Sequence, residues 1–166
     1  LVGSEMCIRD RAPTLDAVRS LGGFRTLPDY SFDTMPSDYA GLVLIGGMQW
    51  QSPEAERIFP IVQDAFEKGK VIGGICNAAS FLCAHGFLNH VKHTRNTLAV
   101  LKQWGGERYT NEDGYLEKQA VGDKNIVTAN GTGYLEFTRE LLLALKADTQ
   151  EKIEAFYDFS KNGLVR

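Results

Sequence analysis

Lys70 to Gly86 reads KVIGGICNAASFLCAHG, and the way this stretch changes character at Cys76 decides the fold. Lys70 to Ile75 is a short, almost uninterrupted apolar run, the mark of a strand buried inside a parallel sheet. A helix pattern follows at once and runs through Ala84. Cys76 falls on the junction. A residue there sits above the carboxyl ends of the strands, where open α/β sheets collect their ligands. The tight turn holds its side chain out of the sheet, as in a nucleophile elbow, although the G-x-S-x-G pattern itself is absent. The helix N-terminus adds partial positive charge and free N–H groups, which favour thiolate over thiol. Gly73 and Gly74 allow close backbone approach. A second reading stays open, because cysteine is among the most buried residue types and often only packs.

Outward from this stretch, Gly41 to Ile45 (GLVLI) predicts a second strand buried on both faces, ending at Gly46-Gly47. In a doubly wound sheet it adjoins the Cys76 strand. The N–H groups of Gly46 and Gly47 could then donate to an oxyanion formed at Cys76. His93, in VKHTRN, is the candidate general base, with His90 behind it. Cys83, Trp50 and Trp104 read as packing residues.

Between the two strands, Ser52-Pro53-Glu54 predicts a helix start, with Ile58, Ile61, Val62, Ala65 and Phe66 as its buried stripe and Gly69 as its stop. Pro60 predicts a kink or a late start. Thr97 to Trp104 predicts a helix stopped by Gly105-Gly106. Tyr115 to Ala120 and Asn125 to Ala129 predict neighbouring strands around a Gly122-Asp123 turn. Tyr134 to Leu145 predicts a helix with Leu135, Thr138, Leu142 and Leu145 on one side. Asp148 with Glu151 predicts a capping box for a last helix that buries Ile153, Phe156 and Tyr157. Upstream, Gly22-Gly23 marks a turn between short extended pieces. Strand and helix alternate as in a parallel sheet covered on both faces, with no linker or repeat, so one domain is expected.

Composition narrows the function. At 166 residues the chain suits one domain, and 43% apolar with 23% charged residues is a globular balance. The net charge is −3 and the basic residues are scattered, which speaks against a nucleic-acid stripe. No apolar run approaches the roughly 20 residues of a membrane helix. Three cysteines without a scaffold pattern, no CxxC, and three histidines without metal spacing fit a reducing, cytoplasmic setting and imply neither metal nor cofactor. Residues 1–11 (LVGSEMCIRDR) lack a signal-peptide layout and a clean period. They resemble the translation of a transposon adapter used in sequencing libraries, so they are read as a non-native scar, with residues 12–166 as the domain.

Taken in order, SLGGFRTLPDYSF (Ser20 to Phe32), LVLIGG (Leu42 to Gly47), GGICNAASFLCAHGFL (Gly73 to Leu88), VKHTRN (Val91 to Asn96) and TANGTGYLEFTREL (Thr128 to Leu141) resemble the ThiJ/PfpI family of the class I glutamine amidotransferase-like superfamily. The resemblance spans about Val18 to Lys146. It implies an α/β, flavodoxin-like three-layer sandwich with a mostly parallel sheet, a nucleophilic Cys76, an oxyanion site built by Gly47 and the amide of Asn77, and a homodimer. Three departures stand out. Family members begin with a strand and helix carrying a glutamate that contacts the cysteine, and no equivalent precedes Ala17. Protease-like members place histidine directly after the cysteine, where this chain has Asn77, which weakens a peptidase reading. A histidine found near VKHT in other members falls here on either His93 or Thr94.

Three functions follow as expectations. The first is a cysteine-dependent hydrolase or amidotransferase-like enzyme acting on a small amide, aldehyde or glycated substrate. The second is a redox-sensing or chaperone-like protein in which the same sulfur is oxidised instead. The third is a scaffold without chemistry. In the strand order 2-1-3-4-5 the absent first strand is central. Each backbone group it leaves buried without a partner costs about 1–3 kcal/mol, against a total stability of about 5–15 kcal/mol. The polypeptide is therefore expected to be insoluble or oligomeric on expression; a cooperative melt from a monomer in gel filtration overturns that.

Overall fold

Val71–Ile75 is the strand the sequence announces, and it is the centre of the molecule. The computed structural model describes residues 8–164, so Cys7 lies outside the described residues. In chain order the strands are β1 (Arg11–Ala12), β2 (Val18–Arg19), β3 (Arg25–Thr26), β4 (Tyr30–Ser31), β5 (Gly41–Leu44), β6 (Val71–Ile75), β7 (Ala120–Asp123) and β8 (Ile126–Ala129). The helices are α1 (Phe59–Glu67), α2 (Asn77–Ala84), α3 (Leu98–Gly105), α4 (Tyr134–Ala144) and α5 (Gln150–Asn162). The main sheet has four strands in the order β5-β6-β8-β7. β5, β6 and β8 run parallel, with Leu42 opposite Ile72 and Gly73 opposite Val127; β7 closes the far side antiparallel to β8. This is the α/β flavodoxin-like arrangement expected.

β6 carries apolar or glycine residues at every position because both of its faces are covered. On one face α1, α2 and α3 bury Leu42, Leu44, Ile72, Phe81, Leu82 and Leu101. On the other, α4 presses Phe137, Leu141 and Leu145 onto Val71, Val127 and Ala129. Close approach requires glycine at two points of β6. A Cβ on Gly73 would lie 2.7 Å from Leu141 Cδ2, and one on Gly74 would lie 2.8 Å from Leu82 Cδ1.

Several local expectations shift. α1 starts late, at Phe59, after a 3-10 stretch over Pro53–Ile58, because Pro60 is acceptable only in a first turn. Ser52 makes no capping bond, and Phe66 is 45% exposed. The β7–β8 turn falls on Lys124-Asn125, with Lys124 at φ 52, while Gly122 and Asp123 pair in the ladder. Thr149 rather than Asp148 caps α5, its hydroxyl accepting from Lys152 N. In α4 the most buried positions are Phe137 and Leu142, not Leu135 and Thr138.

β5 is buried on one face only. Leu42 and Leu44 are buried, whereas Val43 is 39% and Ile45 69% exposed. Successive strand residues point to opposite faces, and Leu145, the residue that caps α4, reaches this face at Gly41, where a Cβ would meet its Cδ2 at 2.9 Å. Among the described residues no strand pairs with the outer edge of β5. The upstream strands pair outside the main sheet, β1 parallel to β4 and β2 antiparallel to β3 across the Gly22-Gly23 turn, while Phe32, Met35 and Tyr39 pack against the main core. The boundary at residue 11 falls inside β1, where Asp10 O accepts from Asp29 N at 2.9 Å.

Gly73→Ala is expected to destabilise by about 1–3 kcal/mol through overpacking against α4, while Ile45→Lys, on the open face, changes stability by about 0.5 kcal/mol or less. Denaturant melts of the two variants beside the wild type check the contrast.

Candidate active site

The β6 ladder extends one residue beyond the strand, with Cys76 N donating to Ala129 O at 2.9 Å. The chain then turns sharply: Cys76 has φ 58 and ψ −123, a left-handed value rare for a residue with a Cβ. Its carbonyl accepts from Ala79 N at 3.1 Å, which starts α2. The side chain is thus lifted out of the sheet at the N-terminus of a buried helix, and it is half-buried. The first amides of that helix lack intrahelical acceptors and face the same end of the sheet.

The end of β5 packs directly on this turn. A Cβ on Gly46 would lie 3.0 Å from Cys76 Cβ and 3.2 Å from Ile75 O, so Gly46 acts by lacking a side chain. Asn77 Nδ2 donates to Gly47 O at 2.9 Å, tying the first residue of α2 to the glycine pair. Gly131, after β8, forms the opposite wall: a Cβ there would lie 3.2 Å from Cys76 Sγ. Its N–H donates to Asn96 Oδ1 at 2.8 Å. The structure therefore brings Cys76, Gly46, Gly47 and Asn77 together.

It does not bring His93 to them. The ring is fully buried, and both nitrogens are engaged away from the sulfur. Nδ1 lies 2.8 Å from Val91 O, and Nε2 lies 2.7 Å from Tyr109 Oη. A carbonyl only accepts, so Nδ1 carries the hydrogen and Nε2 accepts from the tyrosine hydroxyl. Burial holds the imidazole pKa below its ordinary value, opposed only by the bond to Val91. The expected base is a neutral packing histidine. Thr94, the other residue the resemblance left open, is also fully buried; its N–H donates to Thr128 Oγ1 and its hydroxyl to Lys118 O, both at 2.8 Å.

The residue that does come to the site is Arg95, which the sequence reading passed over. It is only 6% exposed. One guanidinium nitrogen donates to Asn77 Oδ1, and its backbone carbonyl accepts from Tyr115 Oη at 3.2 Å. The sequence carries no local signal for it: apolar and polar residues do not alternate in VKHTRN, and Val91, His93, Thr94 and Arg95 are all buried while Lys92 and Asn96 are exposed. Cys83 is a packing cysteine as expected, its Sγ donating to Leu101 O at 3.4 Å and its thiol pushed up to about 12 by burial. Trp50 donates to Ile45 O at 2.8 Å and packs on Phe81. Among the described residues no group of three or more His, Cys, Asp or Glu side chains is placed to hold a metal ion, and no described helix is long and apolar enough to cross a membrane.

The sequence matches the DJ-1/PfpI family over residues 6–144. YdeA of Bacillus subtilis strain 168, described as an uncharacterized protease, is 40% identical over 146 residues, which is 88% of this chain and 73% of that protein. YoaZ of the same organism, also described as an uncharacterized protease, is 33% identical over 88% of this chain and 70% of its own. A thiJ/pfpI family protein from Bacillus anthracis superposes with a TM-score of 0.86 at 30% identity, covering 93% of this chain and 73% of that one.

A buried neutral His93 also sets a pH dependence. Its folded pKa is below the unfolded value, so the unfolded chain takes up the proton first. The associated stability is complete above about pH 6.5 and is lost as pH falls from there toward the folded pKa. Melting temperatures between pH 7.5 and 5 should fall more steeply for the wild type than for His93→Gln.

Proposed function

Since the chain belongs to the DJ-1/PfpI family, we propose that it is a cysteine-dependent enzyme of hydrolase or amidotransferase type, acting on a small carbonyl substrate through Cys76. The observation that carries this reading is the backbone of Cys76 itself. A non-glycine residue at φ 58 on a strand-to-helix turn costs about 1–3 kcal/mol and persists where the surrounding structure holds it, most often at a functional site.

In the proposed reaction the thiolate adds to a carbonyl carbon, forming a C–S bond while the π pair moves to oxygen. The amides of Gly47 and Asn77 donate to that oxyanion. With an amide substrate, collapse expels the amine, which takes its proton from water, and a second water hydrolyses the thioester. With His93 withdrawn into the core, water carries the protons. The uncharged Asn77 after the nucleophile supports small substrates over a peptidase role, although the curated relatives are named as proteases.

The second reading uses the same sulfur. Oxidation to sulfenic or sulfinic acid needs a thiolate and access but no neighbouring base, and the engagement of His93 elsewhere favours it.

A screen of glyoxal, simple amides and glutamine distinguishes the two. Turnover by the wild type that drops at least about a hundredfold in Cys76→Ser supports the enzyme. No turnover, together with +16 or +32 Da on the Cys76 peptide after mild peroxide, supports the sensor. Neither result, with Cys76 inert, overturns both.

A further inference from the structure

Arg95 is a buried cation whose described contacts do not account for its charge. It is 6% exposed, and a charge so far out of water requires a partner. None of the ion pairs among the described residues includes it. Its side-chain acceptor is the neutral Oδ1 of Asn77, and its buried Nε–H has no partner among the described residues. The acidic groups within electrostatic reach are Cys76 and Tyr115.

The fold spends several contacts on delivering this side chain. Residues 91–97 lie in an extended path pinned at intervals. Lys92 N donates to Asp123 Oδ2 at 2.7 Å. His93 N donates to Gly114 O at 3.0 Å, and Leu116 N donates to His93 O at 2.8 Å. Thr94 is fixed to Thr128 and Lys118, and Thr97 caps α3. Asn96, beside Arg95, holds Gly131 against Sγ. One segment thus supplies both a cation and the clamp on the wall that touches the sulfur.

We propose that Arg95 is a positioning residue for Cys76, a desolvated cation that acts through Asn77 and stands as the countercharge for an anion formed at this turn. This rests on the reading of Cys76 as the reactive group. It also gives a reason for Asn77. A carboxamide offers an acceptor to Arg95 and a donor to Gly47 O at once, which a cationic imidazolium could not do. Around the cysteine stand Gly46 from the end of β5, Asn77 from α2 and Gly131 from the loop after β8, with Gly47 and Arg95 bonded to Asn77 and Asn96 bonded to Gly131. Of these only Arg95 is charged. Tyr115 stands behind it, its pKa raised by burial and by Glu117, so it stays neutral through the assay range.

The test is the pH profile of iodoacetamide alkylation, read at the Cys76 peptide by mass mapping of the full chain. The wild type is expected to be alkylated at Cys76 at least about tenfold faster than at the buried Cys83 at pH 6. Arg95→Gln is expected to slow alkylation of Cys76 roughly tenfold at pH 6 while leaving the high-pH plateau unchanged. Arg95→Lys, which keeps a charge but loses the fork, is expected to slow it about threefold at pH 6; it decides the matter if Arg95→Gln does not melt cooperatively. A wild type whose Cys76 is no more reactive than Cys83 overturns the reactive reading of Cys76 and this inference with it. A pH 6 rate unchanged in the variants, or a lowered plateau with the ratio of pH 6 rate to plateau unchanged, overturns the role of Arg95 alone.

Discussion

The site depends on one constrained peptide. Cys76 is held in a left-handed conformation by a hydrogen bond to β8 on its N–H side and by the first turn of α2 on its carbonyl side. Neither anchor can yield cheaply. β6 is packed on both faces, and α2 buries six of its eight residues. The strain of the turn is therefore carried by the core, and the side chain it projects is fixed relative to everything around it. Gly46 and Gly131 complete the constraint by removing the atoms that would collide with Cys76 Cβ and Sγ.

The electrostatics follow from the same geometry. A helix N-terminus provides free N–H groups and a partial positive end, and the extended 91–97 segment brings a guanidinium to its first residue. Asn77 links these two features to Gly47. Replacing any one of them alters the environment of the others, because they share hydrogen bonds rather than merely a location.

How much of this could be read from residues alone varies with how local the cause is. The β6–α2 junction was legible because an apolar run gives way to a helical pattern within one residue, and because Gly73 and Gly74 precede it. Thr97 and the Gly105-Gly106 stop were legible for the same reason, since caps and breakers act on their neighbours. The turn after β7 was misplaced because Gly122-Asp123 looks like a turn signal, whereas Lys124 adopts the positive φ. The burial of β5 was overestimated because one strand's pattern does not reveal how far a helix more than 90 residues later extends. His93 was nominated by residue type, but its role is set by Tyr109, which is brought to it only by the folded chain. Arg95 was missed because arginine in a connecting segment normally reads as solvated, and the groups that hold it, Asn77 at its guanidinium and Tyr115 at its carbonyl, meet it only in the folded chain.

The wall formed by Gly131 makes room for the sulfur before it makes room for anything else. A methyl on residue 131 would stand 3.2 Å from Cys76 Sγ, and one on residue 46 would stand 3.0 Å from its Cβ. Both absences therefore serve the cysteine itself, and the volume left for a group joined to the sulfur lies on the remaining sides of the turn.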